Sequence, residues 1–118
     1  MKILVSIANS ITSRTLFDKV LRDSGLEPTE IVVTQLKTGE QRIVRWALDN
    51  KWPVMINTKN LEEVCDAVDA AIIIRRGKSN NKCDAAATTM QARGKPVHIH
   101  QMSDANFKTE FGSSTHDG

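Results

Sequence analysis

The sequence predicts an α/β domain: a Rossmann-like three-layer sandwich with a five-stranded parallel sheet and helices on both faces. Three observations predict it. Short β-branched runs recur along the chain, segments of helical period lie between them, and capping residues stand at the junctions. Strict alternation of strand and helix implies parallel strands joined by right-handed crossovers.

The runs are 3–7 (ILVSI), 31–33 (IVV), 54–56 (VMI), 70–74 (AAIII) and 97–99 (VHI). Most do not alternate with polar residues, which predicts strands buried on both faces. The first intervening segment carries a stripe of Leu16, Phe17, Val20 and Leu21. The second repeats that spacing with Ile43, Val44, Ala47 and Leu48, so all four are expected to face the core. The third has Leu61, Val64, Cys65 and Val68; the fourth, 85–92, is rich in Ala and contains Met90. Thr38-Gly-Glu-Gln41 and Asn60-Leu-Glu-Glu63 read as capping boxes, Thr12 as a helix cap, and Asn81 with Asp84 as the start of the last helix. Gly25 and Gly94 stand where helix-terminating glycines belong, and Pro96 precedes the last strand. Trp46 and Trp52 are expected in the core or in a subunit contact.

The totals restrict the functional classes. A chain of 118 residues suits one domain, placed at 1–100, followed by a polar tail over 101–118 that is expected to be partly disordered. The net charge of +2 gives no global drive toward nucleic acid or membrane, and 4% aromatic residues leave few bases to stack. The two cysteines form no disulfide framework or metal spacing, so a reducing, cytoplasmic setting is expected, without a signal peptide or membrane span. His98 and His100 alternate on one strand face, but no third ligand accompanies them, so no metal site is expected. No cofactor is implied, and Arg42 and Arg45 read as a solvated helix face.

In an open parallel sheet, ligands bind beyond the carboxyl ends of the strands, near the switch in strand order. That rule selects three loops, each leading into a helix amino terminus that favours an anion. The first holds Asn9 and Ser10. The second holds Gln35, Lys37, Thr38, Gly39 and Glu40. The third holds Arg75, Arg76, Gly77, Lys78, Asn81 and Lys82. Its cations and amides suit a phosphate; as a plain surface loop they would simply be solvated. Glu40 could accept from a ribose hydroxyl or serve as a base or nucleophile. As a bare structural feature it is a first-turn glutamate favoured by the helix dipole. It is the sole candidate for catalysis.

Several stretches resemble a family. MKILVSIANSITSRTLFDKVL is similar to the opening MKILVTGSRxxTDxxLxxxxL of the small YspA-like branch of the SLOG superfamily, Rossmann-like domains related to LOG and DprA proteins. Trp46-Ala-Leu-Asp-Asn-Lys-Trp-Pro53-Val54 resembles its WAxxxGIPV, Asp66 to Ile73 its ADALIAF strand, and Ala92-Arg93-Gly94-Lys95-Pro96-Val97 its ARxxGKPV ending. The resemblance implies a nucleotide-derived ligand in the three loops; some relatives cleave nucleotides, others sense them or bind nucleic acid. Departures fall in the glycine motifs. Ile7 stands at the family's first glycine, Thr34 to Glu40 replaces GGARGAD, and Asn81-Lys82 replaces Gly-Thr. The segment after the third strand is shortened to 57–60. A diverged chain of this size suits a bacteriophage or mobile element.

The expectation is a binder of a nucleotide or nucleotide-derived anion that does no chemistry. Two alternatives stand beside it. One is a nucleotide-hydrolysing or base-releasing enzyme using Glu40. The other is a protein-interaction module or host-factor inhibitor that has lost its ligand site, favoured if apolar surface is exposed around Trp46 and Trp52. Homo-oligomerisation is compatible with all three.

Overall fold

The computed structural model describes residues 1–8, 13–76 and 81–102; the side chains of Asn81 and Met102 fall outside that description. The elements follow in strict alternation: β1 (Lys2–Ile7), α1 (Arg14–Ser24), β2 (Glu30–Val33), α2 (Thr38–Asp49), β3 (Val54–Ile56), α3 (Leu61–Ala67), β4 (Ala70–Arg76), α4 (Asn81–Ala92) and β5 (Val97–Met102). The strands form one sheet in the order β3-β2-β1-β4-β5, and every neighbouring pair is parallel. The predicted architecture is therefore the observed one.

The sheet separates two cores because successive side chains of a strand point to opposite faces. Ile3, Val5 and Ile7 of β1, with Ile72 and Ile74 of β4, pack on Leu16, Phe17 and Val20 of α1 and Ile43, Trp46 and Ala47 of α2. Leu4, Ala71 and Ile73 point the other way, onto Val64 and Cys65 of α3 and Cys83, Ala86 and Met90 of α4. Apolar residues at both parities are what make β1 and β4 continuous hydrophobic runs. Each fully buried aliphatic side chain of this kind contributes about 1.5–3 kcal/mol.

Most of the boundaries have identifiable chemical causes. The Ser13 hydroxyl accepts the Leu16 N–H at 3.3 Å and caps α1, one residue beyond the expected Thr12, which lies outside the described residues. Gly25 ends α1 at φ 70°, its N–H bonded to the Arg22 carbonyl. Asn60 caps α3: its Oδ1 accepts the Glu63 N–H at 2.9 Å while its amide donates back to the Glu63 carboxylate at 2.8 Å. Thr38 differs from expectation. It lies inside α2, and the N-cap is Lys37, with no side-chain cap bond. The Gln41 amide instead donates to the Leu36 carbonyl at 2.8 Å, tying down the loop before the helix.

The carboxyl end of α3 is closed from a distance. Gly94, at φ 68°, ends the turn after α4. The next residue, Lys95, extends its ammonium to the carbonyls of Cys65, Asp66 and Val68 at 2.7, 3.0 and 2.7 Å. One cation thus satisfies three orphan acceptors at a helix end, where a positive charge is also favoured by the dipole. Beside it, Arg93 donates to Asp66 at 2.5 Å and holds that carboxyl below its usual range.

Two expected core assignments are corrected. Leu48 is 58% exposed, and Met55 and Ile56 of β3 are 47% and 45% exposed. The cause is strand order: β3 is an edge of the sheet, so neither it nor the flank of α2 above it has a neighbour on that side. Trp46 is core, as anticipated, and Arg42 and Arg45 are solvated.

Cys65 and Cys83 are both fully buried and neither is in a disulfide, and burial pushes both thiols up. The thiolate is the reactive form. A disulfide reagent at pH 8 is therefore expected to label neither cysteine in the folded protein, and both at once after urea unfolding. The same shift carries a sign for stability. A thiol that ionises more readily when unfolded supports the fold below the unfolded value and loses that support as pH rises toward the folded one. Thermal stability should fall on the alkaline side, above about pH 8.5, where free thiols begin to ionise.

Candidate functional site

The switch in strand order lies at β1. The chain leaves β1 toward β2 and β3 through α1 and α2 on one face, then returns through α3 to β4 on the other side of β1. The amino ends of α2 and α4 therefore approach the carboxyl edge of the sheet from opposite faces. This is the location the ligand rule selects in an open parallel sheet.

A side-chain bridge spans that edge. Glu40, in the first turn of α2, is 1% exposed, and Lys82, in the first turn of α4, reaches its Oε2 at 2.5 Å. The Gln35 amide, from the β2–α2 loop, donates to the same oxygen at 3.4 Å. The other oxygen, Oε1, is buried and has no hydrogen-bond partner among the described residues. The ion pair links residues 42 positions apart and ties the two helix layers together over the end of β1. A buried carboxylate with one oxygen unanswered is costly unless something supplies a donor.

Beside the bridge, Arg75 near the end of β4 pairs with Asp84 of α4 at 2.5 Å. Beneath it, the Ser6 hydroxyl of β1 donates to Cys83 Sγ at 3.5 Å, and the Cys83 thiol turns toward the Ile74 carbonyl at 3.8 Å. These buried contacts fasten α4 to β1 and β4 directly under Lys82.

The structure joins Gln35, Glu40 and Lys82 of the predicted site residues, and places Arg75 on Asp84, two residues along α4 from Lys82. Gly39 is buried in the first turn of α2, where it stands beside Glu40; Lys37 and Thr38 are exposed at that helix's start. Arg76 is the last residue of β4 and half-buried, and Asn81 is the first residue of α4. Asn9, Ser10, Gly77 and Lys78 lie outside the described residues. Reasoning from the sequence missed Asp84 as a partner of Arg75, having read it as a helix-start residue, and missed the Ser6–Cys83 contact. Their spacing of nine residues across a strand–loop–helix junction was a usable signal for the Arg75–Asp84 pair; no local signal announces the other.

The other features of the molecule lie elsewhere. His98 and His100 stand in register with Ile72 and Ile74, hence on the α1–α2 side of β5. Among the described residues no group of three His, Cys, Asp or Glu could hold a metal, and no helix is long and apolar enough to cross a membrane. An open groove of about 610 Å³, lined by Leu21, Leu26, Trp52 and Asp18 among others, lies at the opposite, amino edge of the sheet.

No family model, curated protein or solved structure matches the chain. The fold and the bridged edge define its class on their own terms: a five-stranded parallel α/β domain of Rossmann-like type, with its charged side chains gathered at the topological switch point.

Proposed function

We propose that the carboxyl edge of this sheet binds a nucleotide-derived anionic ligand and holds it without chemical change, as a sensing or sequestering protein does. The observation that carries the reading is the buried Glu40 carboxylate, with Lys82 on one oxygen and no partner among the described residues on the other. A nucleotide offers hydroxyl or amino donors to such an oxygen, and a phosphate to the helix amino ends and cations around it. The resemblance to SLOG domains supports the same ligand class. In that comparison Glu40 stands at the family's acidic position and Lys82 directly after the lost glycine at 81, so side-chain charge stands where relatives use glycine backbone. The ligand is then read by side chains more than by backbone N–H groups. Two buried thiols outside any disulfide and a soluble nucleotide are compatible with a reducing cytoplasm.

Thermal-shift measurements against mononucleotides, cyclic nucleotides, dinucleotides and ADP-ribose, with inorganic phosphate as control, test the reading. At a hundred times its dissociation constant, the right ligand should stabilise the fold by about 2.7 kcal/mol. Phosphate alone should give no shift, and Glu40→Gln should weaken the nucleotide response. No shift with any nucleotide overturns the proposal. Product analysis of the same incubations addresses the second reading, which the buried carboxylate beside an ammonium also favours. Turnover that vanishes in Glu40→Gln, with binding retained, would make Glu40 a general base or nucleophile and the protein an enzyme.

A further inference from the structure

The open edge of β3 has the chemistry of a strand acceptor. On its inner side, the Ile31 N–H donates to the Pro53 carbonyl and the Asn57 N–H to the Val33 carbonyl, each at 2.9 Å. Hydrogen-bonding direction alternates along a strand, so residues 53, 55 and 57 face β2. The N–H and C=O groups of Val54 and Ile56 therefore point outward, from the last strand of the sheet. Apolar side chains surround these four groups. Ile56 lies on the α2 face, Met55 on the opposite face, and both are about half exposed. Leu48 stands one turn beyond Val44, which like Val54 packs against the core on the α2 face, and adds a second exposed apolar side chain to that face. The other edge, β5, exposes a single large aliphatic side chain among its described residues, Ile99, and sets it among His98, His100 and Gln101.

Charge decides what can pair there. Lys51 and Lys59 lie four residues before and after Met55, and both are exposed. Neither side chain has an ion-pair partner among the described residues. When two copies pair antiparallel so that all four outward groups are used, Val54 meets Ile56 of the second copy. Lys51, at φ 65°, and Lys59, whose N–H is held by Asn57 Oδ1, stand in the turns that flank β3, so this pairing brings the Lys51 end of each strand to the Lys59 end of the other. Like charges gathered at both ends of such a pair repel, so the lysines disfavour self-pairing. They favour a strand with the complementary pattern.

We propose that β3 is a docking edge for an extended segment of another protein: a short apolar strand with an acidic residue at each end. The incoming backbone adds a sixth strand, bonding to Val54 and Ile56. Its apolar side chains cover Met55 on one face, and Ile56 and Leu48 on the other. Its carboxylates lie against Lys51 and Lys59. Main-chain bonds supply affinity and the flanking charges supply selection, as in other strand-addition modes.

Two synthetic nine-residue peptides with the same Thr/Val/Ile centre, one ended by glutamates and one by lysines, test it by amide NMR of the whole protein. The glutamate peptide should shift the Val54 and Ile56 amides and slow their hydrogen exchange, binding at least ten-fold tighter than the lysine peptide at low salt. The Lys51→Glu/Lys59→Glu variant, which touches no packed residue, should reverse that order. Equal response to both peptides, no response at residues 54 and 56, or a dimer in solution that shields these amides would each overturn the proposal. Ile56→Lys, checked for folding by its unaltered spectrum elsewhere, should abolish the response; persistence of binding in that variant also overturns it.

Discussion

Lys82→Met is expected to cost about 3 kcal/mol of folding stability, far more than a change at a partly exposed lysine ordinarily does. The reason is the residue it abandons. Glu40 is 1% exposed, and its Oε2 takes the Lys82 ammonium at 2.5 Å. Removing the ammonium leaves a carboxylate held out of water with only the long Gln35 contact at 3.4 Å. The dipole of α2 softens the loss, because Glu40 sits in that helix's first turn, but a helix end supplies only about 0.3–1 kcal/mol. Glu40→Gln should cost much less. It leaves no buried charge, and Lys82, whose side chain is 28% exposed, can turn to solvent. The double variant Lys82→Met/Glu40→Gln should recover most of what Lys82→Met loses. Urea unfolding followed by tryptophan fluorescence gives all four corners of the cycle. Equal losses for the two single variants, adding in the double, would show that the pair is two independent surface groups and not a closed bridge.

The cycle bears on function as well as stability. Glu40 and Lys82 join the two helix layers across that edge. A ligand that donates to Glu40 Oε1 works on a carboxylate already fixed by Lys82, so little ordering is needed at the moment of binding. Stability and ligand response should therefore fall together in Lys82→Met and separate in Glu40→Gln.

Most of the fold was legible because its signals are local. β1 and β4 are continuous apolar runs since helices cover both faces, and that burial is written into every residue of each strand. Asn60 and Glu63 announce α3 within four residues, and Gly25 and Gly94 announce the ends of α1 and α4. What was not legible depends on strand order, which no single segment encodes. Leu48 has the spacing of a core residue, and it would be one if a further strand lay beyond β3. The same holds for Met55 and Ile56, which read as a doubly buried strand and form an edge instead. At the site, the residue types and their loops were readable. Their pairings were not: Lys82 with Glu40 and Ser6 with Cys83 join residues far apart in sequence and meet only after the sheet has assembled. Thr38 shows a smaller failure. Its sequence pattern fits a capping box, but the helix begins one residue earlier, so the hydroxyl has no amide to cap.

Trp46→Ala should be the most damaging single truncation, at about 3–5 kcal/mol. A domain of this size holds only about 5–15 kcal/mol in total, so a large share of the folded population's margin would go. Trp46 is 3% exposed and joins α2 to α1 and to the segment before β3 at once. Its ring meets Phe17 edge-on at 5.8 Å and Trp52 at 5.2 Å, and its indole N–H donates to Asp18 at 2.7 Å. Each edge-to-face contact adds about 0.5–1.5 kcal/mol beyond the area buried. Trp46→Phe separates the contributions. It keeps an aromatic ring in the cavity and gives up the hydrogen bond to Asp18, whose exposed carboxylate can turn to water, so the loss should be well under half that of the alanine variant. Trp52→Ala should also cost less than Trp46→Ala, because Trp52 is only partly buried. Chemical denaturation of the three variants, followed by far-ultraviolet circular dichroism because each lacks one of the two tryptophans, gives the ranking. If Trp52→Ala matched Trp46→Ala, the anchor between α1 and α2 would lie at the amino edge of the sheet and not within the layer they share.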